Sequence, residues 1–210
     1  MTDVARALRE PWPDLRLQRE GVGLGMWIFL VSEILFFGGL FVSYAVYRSF
    51  NAEAFRIAGA KTEIVYGTLN TVLLLTSSLT MTIALRAAIV ELRRLTLLCL
   101  CATAVLGLAF LLFKGLEYHD DLSKHLLPGP EFALSPPATQ LFWGLYWIMT
   151  GIHAVHLSAG IGAVLVVAVL FQRRIVPVQG STMEGLAIYW HFVDSVWLIL
   201  YPLLYLAGRS

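Results

Sequence analysis

From Leu141 to Phe171 the chain reads LFWGLYWIMTGIHAVHLSAGIGAVLVVAVLF, 31 residues without a charged side chain. As a helix this run is about 46 Å long, whereas about 20 apolar residues already cross the hydrocarbon core of a bilayer. It must therefore tilt or protrude within a membrane. Four further apolar segments flank it, separated by short charged stretches. Helices are expected over about 21–47, 64–88, 95–117, 138–171 and 184–207. Their lengths and lack of alternation favour helices over barrel strands. The expected fold class is an all-α integral membrane protein with five transmembrane helices over residues 21–210, preceded by a short N-terminal segment, 1–20. No exact internal repeat is present.

Composition agrees with this class. Hydrophobic residues make up 58% of the chain and charged residues 14%, with a mean hydropathy of +0.74; soluble domains run near 25% charged. With 210 residues there is no room for a sizeable soluble domain. A net charge of +1 argues against nucleic acid as a partner. The opening MTDVARALREPWPDLRLQRE lacks the apolar core of a signal peptide. Arg6, Arg9, Arg16, Arg19, Arg86, Arg93, Arg94, Arg173 and Arg174 fall on one side of the five-span topology. Fewer cations, Arg48, Arg56, Lys61, Lys114, Lys124 and Arg209, fall on the other. The positive-inside rule then places the N-terminus in the cytoplasm and the C-terminus outside. The longest connection, Lys114–Gln140, carries Pro128, Pro130, Pro136 and Pro137, and is expected on the outer surface. Cys99 and Cys101 point in well-separated directions on a helix, and read as small buried apolar residues rather than a disulfide.

Ionisable groups at membrane depth are functional candidates by default. Glu33 lies mid-span in GMWIFLVSEILFF (25–37). His153 and His156 share one helix face within MTGIHAVH (149–156). His191 and Asp194, at i,i+3, share a face within YWHFVDSVWLILY (189–201). Glu117 is expected to end the third helix at its outer edge. A metal or haem centre needs three or four compatible ligands. Only His153, His156 and His191 lie at membrane depth, because His119 and His125 fall in the outer connection. A proton relay or transporter needs several linked titratable groups or broken helices. Here two carboxylates on different helices have no evident intramembrane Lys or Arg partner. The reading with most support is an all-helical accessory subunit. In it, histidines and the Ser/Thr band Thr68, Thr71, Thr76, Ser78 and Thr82 hydrogen-bond across helices, and glycines such as Gly38, Gly39, Gly160 and Gly162 permit close approach.

Five motifs in order carry a resemblance. They are GMWIFLVSEILFF with Glu33, NTVLLLTSS (70–78), Leu116-Glu117-Tyr118, MTGIHAVH, and Glu184 followed by YWHFVDSVWLILY. Together they resemble subunit III of the haem–copper respiratory oxidases over roughly 21–207. The chain is similar to the short, five-helix bacterial form, which lacks the first helix pair of long members, and its Glu117–Gln140 loop is extended. Short forms occur in cytochrome c oxidases, in quinol oxidases, and in a relative associated with nitric oxide reductase, so the electron donor stays open.

The resemblance implies a non-catalytic subunit with no cofactor or metal of its own. Haem and copper would reside in partner subunits. It implies packing on the catalytic subunit I and contact with other oxidase subunits. It also implies two helix groups around a cleft filled with phospholipid, and support of sustained proton uptake by subunit I. The reduction of oxygen to water coupled to proton pumping belongs to the complex, in the inner membrane of a bacterial cell. Glu33 then matches a buried carboxylate that reacts with carbodiimide in some members. Glu117, Glu184, His153, His156, His191 and Asp194 are further buried polar candidates. Arg86, Arg173 and Arg174, at cytoplasmic helix ends, are candidates for lipid phosphate contacts, because a guanidinium binds phosphate bidentately.

Overall fold

The computed structural model describes residues 15–173, 181–206 and 208. It contains α1 (Leu15–Phe50), α2 (Ala52–Gly59), α3 (Ile64–Ile89), α4 (Arg93–Ser123), α5 (Thr139–Gln172) and α6 (Ser181–Tyr201), the last continued by a wide π-type turn, Pro202–Leu206. Five spans are long and apolar enough to cross a membrane: Gly23–Phe50, Ile64–Ile89, Arg93–Ser123, Thr139–Gln172 and Thr182–Leu206. The chain is an all-helical integral membrane protein, as its apolar segments dictate.

Helices α3 and α4 form a tight antiparallel hairpin, and α5 packs along α4. Helix α6 lies against both α3 and α5, and α1 rests on α5 and α6. The centre of the bundle is aromatic. Trp143, Tyr146, Trp190, Trp197 and Phe110 are fully buried, and Phe110 meets Trp197 edge-on with ring centroids 4.7 Å apart. Close approach of α4 to α5 and α6 depends on Gly107, where a Cβ would stand 3.0 Å from Ile161 and 3.1 Å from Trp190. By contrast α1 offers most of its surface outward, with Trp27 63% and Leu35 71% exposed. In a bilayer such residues face acyl chains or a partner's helices rather than water.

Two elements differ from expectation. The third span does not end at Glu117; α4 continues to Ser123, so 118–123, with His119 and Asp121, are helical rather than part of the connection, and Lys114 and Glu117 lie inside the helix rather than at its edge. The charges there, which read as a loop, are neutralised internally, and a helix tolerates them for that reason. The short helix α2 was not foreseen. It buries Ala54, Phe55, Ala58 and Gly59 on one face. On the other face, Arg56 donates to Glu53 at 2.6 Å, which holds that carboxyl below its ordinary value. Phe55 caps that end of the bundle against Tyr44 and Phe142, at 5.3 and 5.6 Å between ring centroids. Both cysteines are free; Cys99 is buried as expected, but Cys101 faces outward.

Candidate functional site: polar contacts inside the helical bundle

The densest polar site lies at the end of the bundle where α4, α5 and the turn after α6 meet. Lys114, Glu117 and Asp121 recur at i, i+3 and i+7 of α4 and so project from one face. All three are buried, with Glu117 at 0% exposure. The Lys114 ammonium has three N–H groups and uses all of them, donating to Glu117 Oε2 (3.0 Å), Tyr146 Oη (2.9 Å) and Tyr205 Oη (2.7 Å). Each tyrosine has one proton to pass on. Tyr205 donates to Glu117 Oε1 at 2.7 Å. Tyr146 sits 2.9 Å from both Glu117 Oε1 and Asp121 Oδ2. Because Glu117 is already served twice, the Tyr146 proton is best used on Asp121. Every donor then has an acceptor, and only Asp121 Oδ1 is without a partner. The Tyr205 ring lies so close to α3 that a Cβ on Gly67 would stand 2.8 Å from it. One buried cation thus ties α4, α5 and the C-terminal turn together.

A second site joins α1 to α5. His156 Nε2 and Glu33 Oε2 are 3.0 Å apart, with side chains 19% and 18% exposed. The other ring nitrogen, Nδ1, is 2.9 Å from the Ile152 carbonyl. A carbonyl only accepts, so Nδ1 carries a proton. One further proton therefore lies between Nε2 and the carboxyl. The pair is either neutral imidazole with carboxylic acid or imidazolium with carboxylate, and it is electrically neutral both ways. Phe37 packs edge-on against the His156 ring at 5.3 Å, and Tyr189 of α6 donates to the His156 carbonyl at 2.8 Å.

The third polar system is a ladder between α3 and α6. Thr71, Ser77 and Thr82 each donate to a carbonyl of their own helix, one turn back. That leaves their oxygens free to accept. Trp197 Nε1 donates to Thr71 and Trp190 Nε1 to Ser77, both at 3.1 Å. Thr82 accepts from His191 Nε2 at 3.4 Å, so Ser78 donates to His191 Nδ1 at 2.7 Å. Thr68 and Tyr201 add a 2.8 Å rung. Of the expected Ser/Thr band, Thr68, Thr71, Ser78 and Thr82 cross to α6, whereas Thr76 bonds only within α3. Ser77, not foreseen, supplies the Trp190 contact.

Several expected groupings are corrected. His191 does not pair with Asp194; it turns to Ser78 and Thr82. Asp194 is 4% exposed and lies beside the Ser78 hydroxyl, but neither of its oxygens makes a hydrogen bond of ordinary geometry to a described residue. His153 and His156 diverge, because α5 is packed on more than one side. His153 faces Phe110 (5.5 Å) and Trp197 (5.3 Å) with both nitrogens unbonded, while His156 faces α1. Glu184 is exposed in the first turn of α6 and is not a buried group. An intramembrane cation does exist for a carboxylate, Lys114 for Glu117. Arg86 and Arg173 are exposed at helix ends, and Arg174 lies outside the described residues. Arg93 was missed: it reaches across to the Phe171 carbonyl at 3.0 Å and to that of Gln172, closing the C-terminus of α5. Beyond the end of α4, Lys124 and Glu63 pair at 2.7 Å, which holds the ammonium above its ordinary value. Among the described residues, no three His, Cys, Asp or Glu side chains converge as a metal centre requires.

Comparison with known proteins bears on the whole chain. The family model described as cytochrome c oxidase subunit III matches residues 15–209. A cytochrome c oxidase subunit 3 from Thermostichus vulcanus is 33% identical over 204 residues, covering 94% of this chain and 90% of that protein. The cytochrome c oxidase subunit 3 of Alkalihalophilus pseudofirmus is 29% identical, covering 88% of this chain and 86% of its own. A protein from Staphylococcus haemolyticus named as a probable quinol oxidase subunit 3 is 27% identical, covering 88% of each chain. With its five spans and its polar motifs in place, the chain belongs to the cytochrome c oxidase subunit III family.

Proposed function

We propose that this chain is the non-catalytic subunit III of a proton-pumping haem–copper terminal oxidase. It would support assembly, bind phospholipid and sustain proton uptake by subunit I while the complex reduces oxygen to water. The observation that carries this reading is how the buried polar groups are used. Lys114, Glu117, Tyr146 and Tyr205, the Glu33–His156 pair, and the α3–α6 ladder are spent on joining helices. A chain that housed its own redox centre would need side chains gathered around one point.

Its partners are the haem- and copper-bearing subunit I, other oxidase subunits and membrane phospholipid, in the inner membrane of a bacterial cell with the N-terminus cytoplasmic. The outward face of α1 supports contact with lipid or another subunit, and bound phospholipid is part of the same proposal. Cytochrome c is the proposed donor, supported by the cytochrome c oxidase name of the 33% identical relative; a quinol is the second reading, supported by the probable quinol oxidase name at 27%. Affinity purification of the tagged chain tests the assignment. A large haem-bearing polypeptide is expected to co-purify and to oxidise reduced cytochrome c. Turnover with quinol alone would move the donor. A stoichiometric Soret band on the isolated chain would overturn the non-catalytic reading.

A further inference from the structure

The α3–α4 hairpin carries a groove on its arginine-rich side that none of the contacts above uses. The hairpin turns through Glu91, whose backbone has φ 60°, with Leu92 N–H donating to the Ala87 carbonyl at 2.9 Å. Because α3 ends in the small residues Ala87 and Ala88, the two helices approach closely at the turn. A groove of about 380 Å³ remains alongside, lined by Thr82, Ile83, Arg86, Ala87, Ile89, Val90, Leu92 and Leu95. Only Thr82 and Arg86 in that lining carry polar side-chain atoms. The Thr82 hydroxyl is already committed to the Ser78 carbonyl and to His191. Water in such a groove has too few hydrogen-bond partners to be held, and an open groove at this depth in a bilayer is filled by hydrocarbon.

Arg86 decides which hydrocarbon. It stands three residues before the last residue of α3, about 5 Å along the axis from the helix end. Its side chain is exposed and makes no hydrogen bond or ion pair with a described residue. From that depth a long arginine reaches headgroup level while its stem stays in the apolar layer. No carboxylate lines the groove to neutralise it. Arg93, the other cation near the turn, is committed to the carbonyls at the end of α5.

We propose that this groove is a binding site for one anionic phospholipid, with its phosphate held by the Arg86 guanidinium and an acyl chain laid along Ile83, Ala87 and Leu95. A planar, permanently charged fork matches phosphate oxygens bidentately. Basic pockets between membrane helices on the cytoplasmic side suit anionic headgroups. The site lies beside the turn between α3 and α4, apart from the outward face of α1. It deepens the lipid-binding part of the proposed function and rests on that part alone.

Native mass spectrometry of the purified complex, delipidated and re-equilibrated with phosphatidylglycerol or phosphatidylcholine, tests it. The parent is expected to retain one more phosphatidylglycerol than either R86Q or L95F, the latter filling the groove, and to hold that lipid against a tenfold excess of phosphatidylcholine. R86K, a point charge without the fork, is expected to retain it less tightly, and K61Q, on the opposite membrane side, as tightly as the parent. Equal phosphatidylglycerol counts for parent, R86Q and L95F would overturn the site, as would a count that drops in L95F with no preference between the two lipids. The same spectra report partner subunits. Unchanged composition with unchanged lipid counts defeats this site alone, whereas absence of partners in the parent defeats the subunit assignment.

Discussion

Replacing Lys114 by methionine keeps most of the side-chain volume and removes the charge at the centre of the Lys114–Glu117 site. The ammonium is 2% exposed and donates three hydrogen bonds, so nothing from solvent replaces it. In the variant, Glu117 keeps the Tyr205 hydroxyl, but it becomes a buried carboxylate without a counter-ion, with Asp121 one tyrosine away. Breaking a buried pair in this way costs about 3–5 kcal/mol. At roughly 2–4 °C per kcal/mol for a chain of this length, the unfolding midpoint is expected to fall by roughly 6–20 °C. Thermal unfolding in lipid nanodiscs, followed by tryptophan fluorescence, is a suitable assay because Trp143 and Trp197 pack beside the site. The decisive comparison is the double variant Lys114→Met/Glu117→Gln, in which no charge is stranded. It is expected to recover most of the loss and to remain about 1–2 kcal/mol below the parent through lost hydrogen bonds. A double variant as unstable as Lys114→Met alone would refute the electrostatic argument and assign the role to packing of the lysine stem.

Other expectations follow from single contacts. Glu33→Gln keeps a donor for a neutral His156, so stability within about 1 kcal/mol of the parent and unchanged assembly are expected; early inactivation of an intact complex during turnover would instead assign Glu33 to proton handling. Asp194→Leu removes a buried carboxyl that makes no hydrogen bond of ordinary geometry to a described residue and is expected to raise stability by about 1–3 kcal/mol in the same unfolding assay; a fall would show that Asp194 is satisfied in the membrane. Gly67→Ala drives a methyl into Tyr205, whose hydroxyl is fixed by Lys114 and Glu117, and should cost about 1–3 kcal/mol. Placed in a Tyr205→Phe background, the same change should cost measurably less, and strict additivity would exclude the coupling. Arg93→Gln is expected to fray the end of α5, seen as faster amide exchange in the last turn before Gln172 and a loss of about 1–2 kcal/mol.

The five spans were legible because a bilayer imposes one simple condition, uninterrupted apolar length, and 141–171 meets it without help. The Lys114–Glu117 site was not legible for the opposite reason. Lys114, Glu117, Asp121 and their neighbours form a charge-rich stretch that reads as surface loop, and only the i, i+3, i+7 spacing hints at one helix face. Tyr146 and Tyr205, which complete the site, carry no mark that separates them from other membrane aromatics. The histidines show a different limit. Spacing placed His153 with His156 and His191 with Asp194, but sharing a face does not fix where a ring turns when the helix is packed on several sides. His156 is drawn to α1 by Glu33, 123 positions away in sequence, and no local pattern reports that partner. Glu184 fell outside the bundle because it sits in the first turn of α6, at the membrane edge rather than at depth.

Helix α1 is made before the other described helices, yet its polar contacts reach far along the chain: Glu33 with His156, and the Tyr44 hydroxyl donating to the Leu203 carbonyl at 2.6 Å, 159 positions on. At about 5–20 residues per second, synthesis of that intervening chain takes on the order of 8–30 seconds. Until His156 is made, 123 positions on, Glu33 sits in the membrane without its partner. A carboxylate at mid-helix disfavours insertion by only about 2.5–3.5 kcal/mol, which the long apolar stretch around Glu33 offsets. The sparse burial of α1 in the finished bundle is thus also what allows it to wait.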